Sequence, residues 1–305
     1  MTHAPGVAED ERVTLPSRAF EPFRRLSLYN SPYPAHDWGC AVDLYPDSND
    51  GTSPVAGEVL DTRTVRTPQK PYAVEHDHLV LVDCDDEWCA SAGVDDVVAR
   101  VLHVDPSVEA GDHVAVGDSL GEMVRSGFFA PWVDNHVHLG FRLRDQNLHR
   151  ASGSLSLALP FSPTPLVWDG TGVVVETGET YVVLDTPAHP GAESGWCGIG
   201  TDSGGTSGVL DGGLPHYDGG GLFVPGDVDV GSDDSVSGPV TLLGSVVGDR
   251  TGRTVQWRDV AVSVDGRQAV GLSLFLARAG PAGAKVVCPG HDIERGDRVS
   301  VRIDT

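Results

Sequence analysis

The stretch Asn135-His136-Val137-His138-Leu139-Gly140-Phe141-Arg142 reads as a β-strand with two unlike faces. Side chains alternate along a strand, so His136 and His138 point one way while Val137, Leu139 and Phe141 point the other. The apolar row asks for a core. Two imidazoles at i and i+2 are natural partners for a metal ion, or for a metal ion and a reacting group. The pattern equally suits two histidines exposed on an edge strand, so its meaning rests on what lies upstream.

Upstream, Tyr33-Pro34-Ala35-His36-Asp37-Trp38-Gly39-Cys40-Ala41-Val42-Asp43-Leu44-Tyr45-Pro46 places His36 on a loop that leads into a short apolar strand. Asp43 faces away from Val42 and Leu44, which sets a carboxylate on the polar side. A turn and strand follow at Ser53-Pro54-Val55-Ala56-Gly57-Glu58-Val59. Further on, His103 ends a strand ahead of two Gly-Asp turns, Gly111-Asp112 and Gly117-Asp118. Short β-like runs separated by Gly, Pro and Asp predict strands over 40–45, 57–65, 78–83, 97–104, 113–116 and 136–143. Helical periodicity is missing except for a turn near Ala90 to Asp96, so the expectation is an all-β domain.

The order of these elements resembles the M23 family of zinc metallopeptidases, the lysostaphin and LytM-like endopeptidases, over residues 30–145. Members carry a His and an Asp leading into and on one strand, and a Pro-Val-x-Ala-x-x-Gly-x-Val turn. A later His before Val-x-x-Gly-Asp-x-Val-x-x-Gly follows, and then a closing His-x-His strand. Here these elements are His36 and Asp43, the turn at 53–59, His103 before Val108 to Gly117, and His136-Val137-His138. The resemblance implies a LytM-like antiparallel sheet, with His36, Asp43 and His138 as ligands to Zn²⁺ and His103 and His136 as catalytic residues. It implies a peptide or protein substrate cut by a metal-activated water. In the family pattern the first His and the Asp stand four apart with a Gly between, whereas His36 and Asp43 stand seven apart. The insertion around Asp37 to Cys40 must bulge to deliver His36, and Asp37 could compete as a ligand. A second reading keeps the same scaffold without catalysis, as a protein-binding or regulatory module.

Composition bounds the rest. The 44 acidic residues outnumber 21 basic ones for a formal charge of -23, and only Lys70 and Lys285 are lysines. Such a surface repels nucleic acid and anionic membranes, and suggests a halophilic host with a salt-rich cytoplasm. No apolar run approaches the roughly 20 residues of a membrane span. The amino terminus lacks the basic-then-apolar order of a signal peptide, so a cytoplasmic location is expected. Five scattered cysteines do not make a disulfide framework, although Cys84 and Cys89 are near enough to pair or share a metal. Nothing in the sequence speaks to oligomeric state.

Residues 1–26 read as a polar leader, 27–150 as the peptidase-like domain and 151–305 as a β-rich accessory domain. In the last, hairpins are expected to turn near Thr177-Gly178 and at Asp265-Gly266, and 200–238 is expected to be loop because Gly, Asp and Ser crowd it. His76, His78 and His113 are expected at the surface, and His189, His216 and His291 in turns. Phe128, Phe129 and Trp132 belong either to the wall of a groove or, more simply, to the core.

Overall fold

The computed structural model describes residues 12–203, 206–225, 236–282 and 284–305. Two compact units emerge, one of residues up to Arg24 with Tyr33–Pro160, the other of Arg25–Pro32 with Phe161–Thr305. Nearly all regular structure is strand, as the alternating pattern requires.

Five strands carry the site of the first unit: β1 (Ala41–Pro46), β2 (Gly57–Arg66), β3 (His76–Cys84), β4 (Val97–Leu102) and β5 (Val137–Leu143). They pair antiparallel in the order β1-β5-β4-β3-β2. The register sets His138 opposite Asp43 on one side and Leu102 on the other. It also lines Leu139 up with Val42 and Val101. One face of the sheet is thus a closed apolar layer, in which Val42, Leu44, Val80, Val82, Val101, Leu139 and Phe141 are fully buried. The other face carries Asp43 and His138, and these too are buried, so β5 has no solvent-facing side.

A short helix, α1 (Asp86–Ala92), overlaps the start of the turn expected near Ala90 to Asp96. It buries Trp88, whose ring stacks on Phe141 with centroids 5.1 Å apart. Phe141→Ala is expected to cost about 3–5 kcal/mol through loss of transfer energy and the cavity left against Trp88. The check is a lower urea midpoint at an unchanged m-value.

Residues 12–26 correct the expected leader, while 1–11 lie outside the described residues. Arg12–Thr14 pairs in parallel with Ser156–Ala158, and Val13, Leu15, Phe20, Phe23 and Leu26 are buried. Apolar residues spaced between the prolines make this a packed segment. The same pairing holds the chain in the first unit as far as Pro160, past the division expected at residue 150.

In the second unit, antiparallel neighbours succeed one another from the hairpin Thr171–Gly178 with Tyr181–Leu184, through Ala284–Val287 and Gly271–Leu274, to Thr206–Leu214. The succession continues through Gly219–Phe223, Thr254–Trp257 and Ser245–Thr251 to Ser237–Leu242. The stretch expected to be loop over 200–238 is therefore mostly strand where it is described, with a turn at 215–218, and its residues 204–205 and 226–235 lie outside the described residues. Packing explains the glycines: a Cβ on Gly220 would stand 2.1 Å from the Trp257 ring and 2.6 Å from the Asp211 carbonyl oxygen. The Asp265-Gly266 turn forms as expected between Ala261–Val264 and Arg267–Gln268, with φ of 48° and 77°. Consecutive positive φ values are those of a two-residue hairpin loop.

Candidate metal centre

Each ligand candidate arrives by a different local route. Asp43 and His138 are cross-strand partners on β1 and β5, a consequence of register alone. His36 comes from the loop before β1, folded back by a single 3-10 turn at Asp37–Gly39 in which Trp38 and Gly39 take φ of 61° and 69°. That turn is the bulge the seven-residue spacing demands. Asp37 stays exposed and takes no part in the cluster.

His36 Nε2, His138 Nδ1 and Asp43 Oδ1 meet at 3.2 Å (His36 to His138), 2.9 Å (His138 to Asp43) and 3.3 Å (His36 to Asp43). All three residues are buried, and this is the group among the described residues whose donor atoms could hold a metal ion. The fit is geometric and electrostatic. Ligand atoms on a tetrahedral ion with bonds of about 2.0–2.1 Å stand about 3.3 Å apart. Three acceptor-rich atoms facing one another, with too few protons to join them all, form a site that a cation resolves. Burial would raise the Asp43 carboxyl, but His136 and His36 beside it outweigh that and hold it well below the usual carboxylate range. Burial also pushes His138 down to about 3, against the pull of Asp43. An ionised carboxylate and a neutral imidazole are the protonation states a metal requires.

The two other histidines stand alongside. His136 lies just before the first residue of β5, with Nε2 3.3 Å from Asp43 Oδ1. Its Nδ1–H donates to the Asp134 carbonyl at 2.9 Å, and its ring stacks on Phe129 at 4.5 Å. His103 sits between β4 and the strand Val104–Pro106 with φ of 72°, a conformation a non-glycine residue adopts only when its surroundings hold it there. Its ring centroid is 5.0 Å from that of His136 and 5.6 Å from that of His138. All five sequence-selected residues are thus brought together.

What holds His103 is Asp77, a residue sequence reasoning passed over. Its carboxylate is fully buried and accepts from His103 Nδ1–H at 2.6 Å, Ser126 Oγ–H at 2.5 Å, and the backbone N–H groups of His103 and His78 at 3.1 and 2.7 Å. Burial would raise the Asp77 carboxyl, but His103 and these donors bring it down to about 2. An ionised acceptor forces the proton of His103 onto Nδ1 and leaves Nε2 with its lone pair free for chemistry. The signal available in the sequence was an Asp between His76 and His78 ahead of the apolar run Leu79 to Val82.

The remaining histidines do not join. His113 pairs with Asp85 at 3.0 Å near the surface and His78 with Asp105 at 3.5 Å, while His76 is exposed. In the second unit, His189 and His291 donate to the Gly195 and Gly178 carbonyls, both at 2.8 Å. Phe129 belongs to the site, stacked on His136, whereas Phe128 meets Tyr33. No described helix is long and apolar enough to cross a membrane.

Fold and site together define an all-β chain of two units whose first unit carries a buried His-Asp-His cluster able to hold a metal ion. Residues 14–159 match the family described as domain of unknown function DUF8155, N-terminal domain, and residues 164–304 match its C-terminal domain. The chain belongs to this two-domain DUF8155 family. No curated protein matches it. A solved structure that does is described as a novel M23 metalloprotease, pseudoalterin, from the deep sea. It is 14% identical, covers 48% of this chain and 75% of its own, and superposes with a TM-score of 0.27.

Proposed function

We propose that the first unit is a zinc-dependent peptide hydrolase of the M23 type. The observation that carries this reading is the convergence of His36 Nε2, Asp43 Oδ1 and His138 Nδ1 to 2.9–3.3 Å, with two more imidazoles beside them. Three protein ligands of N and O type leave a tetrahedral ion one open position, as in catalytic rather than structural zinc sites. When bound there, zinc supplies a Lewis acid and a water of lowered pKa.

The chain's own residues supply the proton traffic. His103 Nε2, freed by the Nδ1–H donated to Asp77, accepts a proton, and the buried carboxylate stabilises the imidazolium that results. His136, fixed through Nδ1 to the Asp134 carbonyl and by the Phe129 ring, is assigned to the contact with the substrate carbonyl oxygen. Burial of all five residues excludes bulk water and strengthens each of these interactions.

The test is metal analysis of the full chain purified at high salt, followed by hydrolysis assays on end-blocked peptide libraries with and without chelator. Zinc at about one per chain is expected, together with peptide cleavage that chelation abolishes and zinc restores. Chelation is also expected to lower the melting temperature. Zinc at 100 times its Kd is worth about 2.7 kcal/mol of stability through mass action. Stoichiometric zinc without cleavage anywhere in the library would sink the hydrolase reading.

A further inference from the structure

A surface as acidic as this one leaves few apolar side chains in water, and where they lie is informative. Among the described residues of the first unit, three large hydrophobic side chains are exposed: Tyr33, Trp38 and Val74, at 40%, 57% and 43%. Single exposed hydrophobics are ordinary, but several on the segments around one site call for an account. These three lie on the segments that build the candidate metal centre.

Tyr33 and Trp38 bracket the ligand His36, whose backbone N–H donates to the Tyr33 carbonyl at 3.0 Å. The Tyr33 ring meets Phe128 edge-on at 5.8 Å, next to the Phe129 that stacks on His136. Val74 bridges to Ser126 through the backbone, and Ser126 donates to Asp77, which holds His103. The exposed apolar groups therefore share supports with both the ligand and the base.

Trp38 adds a second observation. It and His103 are the two non-glycine residues of the first unit, among those described, with positive φ. Glycine or asparagine would satisfy that turn at lower cost, and backbone strain of this kind collects at functional sites. A bulky indole kept both strained and in water beside a ligand is not explained by the turn or by the core.

We propose that Tyr33, Trp38 and Val74 form an apolar rim that selects peptide substrates by a large aromatic or branched aliphatic side chain beside the bond to be cut. The proposal rests on the hydrolase reading above and names its substrate class. The mixture of an aliphatic with two aromatic groups suits an apolar side chain, which buries against all three. A sugar would use the ring faces alone.

The experiment uses the zinc-loaded full chain and end-blocked, fluorescein-labelled glycine-rich peptides with one varied residue: Phe, Leu, Ala or Glu. Binding is read by anisotropy and cleavage by chromatography. The Phe and Leu peptides are expected to bind about tenfold tighter than the Ala and Glu peptides, about 1.4 kcal/mol. Trp38→Gly and Tyr33→Ala are expected to bring that ratio below about twofold. Trp38→Gly should do so with zinc content unchanged and without a fall in melting temperature, because glycine relieves the strained turn. Equal binding of all four peptides would overturn the rim. So would a preference surviving both substitutions, or an N-acetylglucosamine oligomer bound through Trp38 in place of the peptides. Selective binding without cleavage would remove the hydrolase and leave the rim as a peptide-binding surface. Cleavage blind to the varied residue would do the reverse.

Discussion

His138→Ala is expected to empty the centre of zinc and to lower peptide hydrolysis by at least about 10²-fold. His138 stands 2.9 Å from Asp43 and 3.2 Å from His36, so it links the other two candidate ligands. Removing it leaves two donors, too few for a stable tetrahedral site. It also opens a space beside an ionised Asp43 that has lost a hydrogen-bond partner, which costs roughly 1–3 kcal/mol in a buried place. Metal analysis of the variant and the wild type, purified side by side, is the direct check. A variant that keeps a full complement of zinc would show that the ion is bound elsewhere.

Asp77→Asn has the second largest expected effect and a different signature. The amide keeps the shape of the carboxylate but can offer His103 an N–H where the ring needs an acceptor, which favours the wrong tautomer or turns the ring away. Loss of kcat by about 10²–10⁴-fold is expected, the range for a positioned acid-base group, with zinc content and KM little changed. Combined with His103→Ala, the substitution should add almost nothing, since the two act as one unit. Nitrogen chemical shifts of the His103 ring report the tautomer independently of turnover. The substitution should also alter the response to acid. The Asp77 carboxyl is lowered from 3.8 to about 2 in the folded chain, so its contribution to stability is present above pH 3.8 and is lost as the pH falls toward 2. The asparagine variant lacks this component, and acid unfolding curves of the two proteins would show the difference.

Much of the first unit was legible because strand periodicity is local. The alternation in 136–142 and 41–45 assigned an apolar and a polar face to each strand, and the register then made His138 and Asp43 partners. The spacing of His36 from Asp43 foretold a bulge, and the 3-10 turn at Asp37–Gly39 supplies it. Composition misled in two places. Glycine in 206–223 suggests turn chemistry, but Gly208 and Gly220 stand in paired strands, where Leu222, Trp257 and neighbouring carbonyls leave no room for a side chain. Polar residues and proline in 12–26 suggest a leader, although the few apolar side chains there are all that a packed segment needs.

The chain's own order of residues determined the all-β character and the two faces of the histidine strand. Both follow from which side chain stands one or two positions from which. Only the folded molecule decided that Asp77 grips His103, that His103 takes a positive φ to meet it, and that Tyr33, Trp38 and Val74 are left exposed. Those facts depend on contacts between segments tens of residues apart, and local spacing carries no record of which distant partner a buried carboxylate will find.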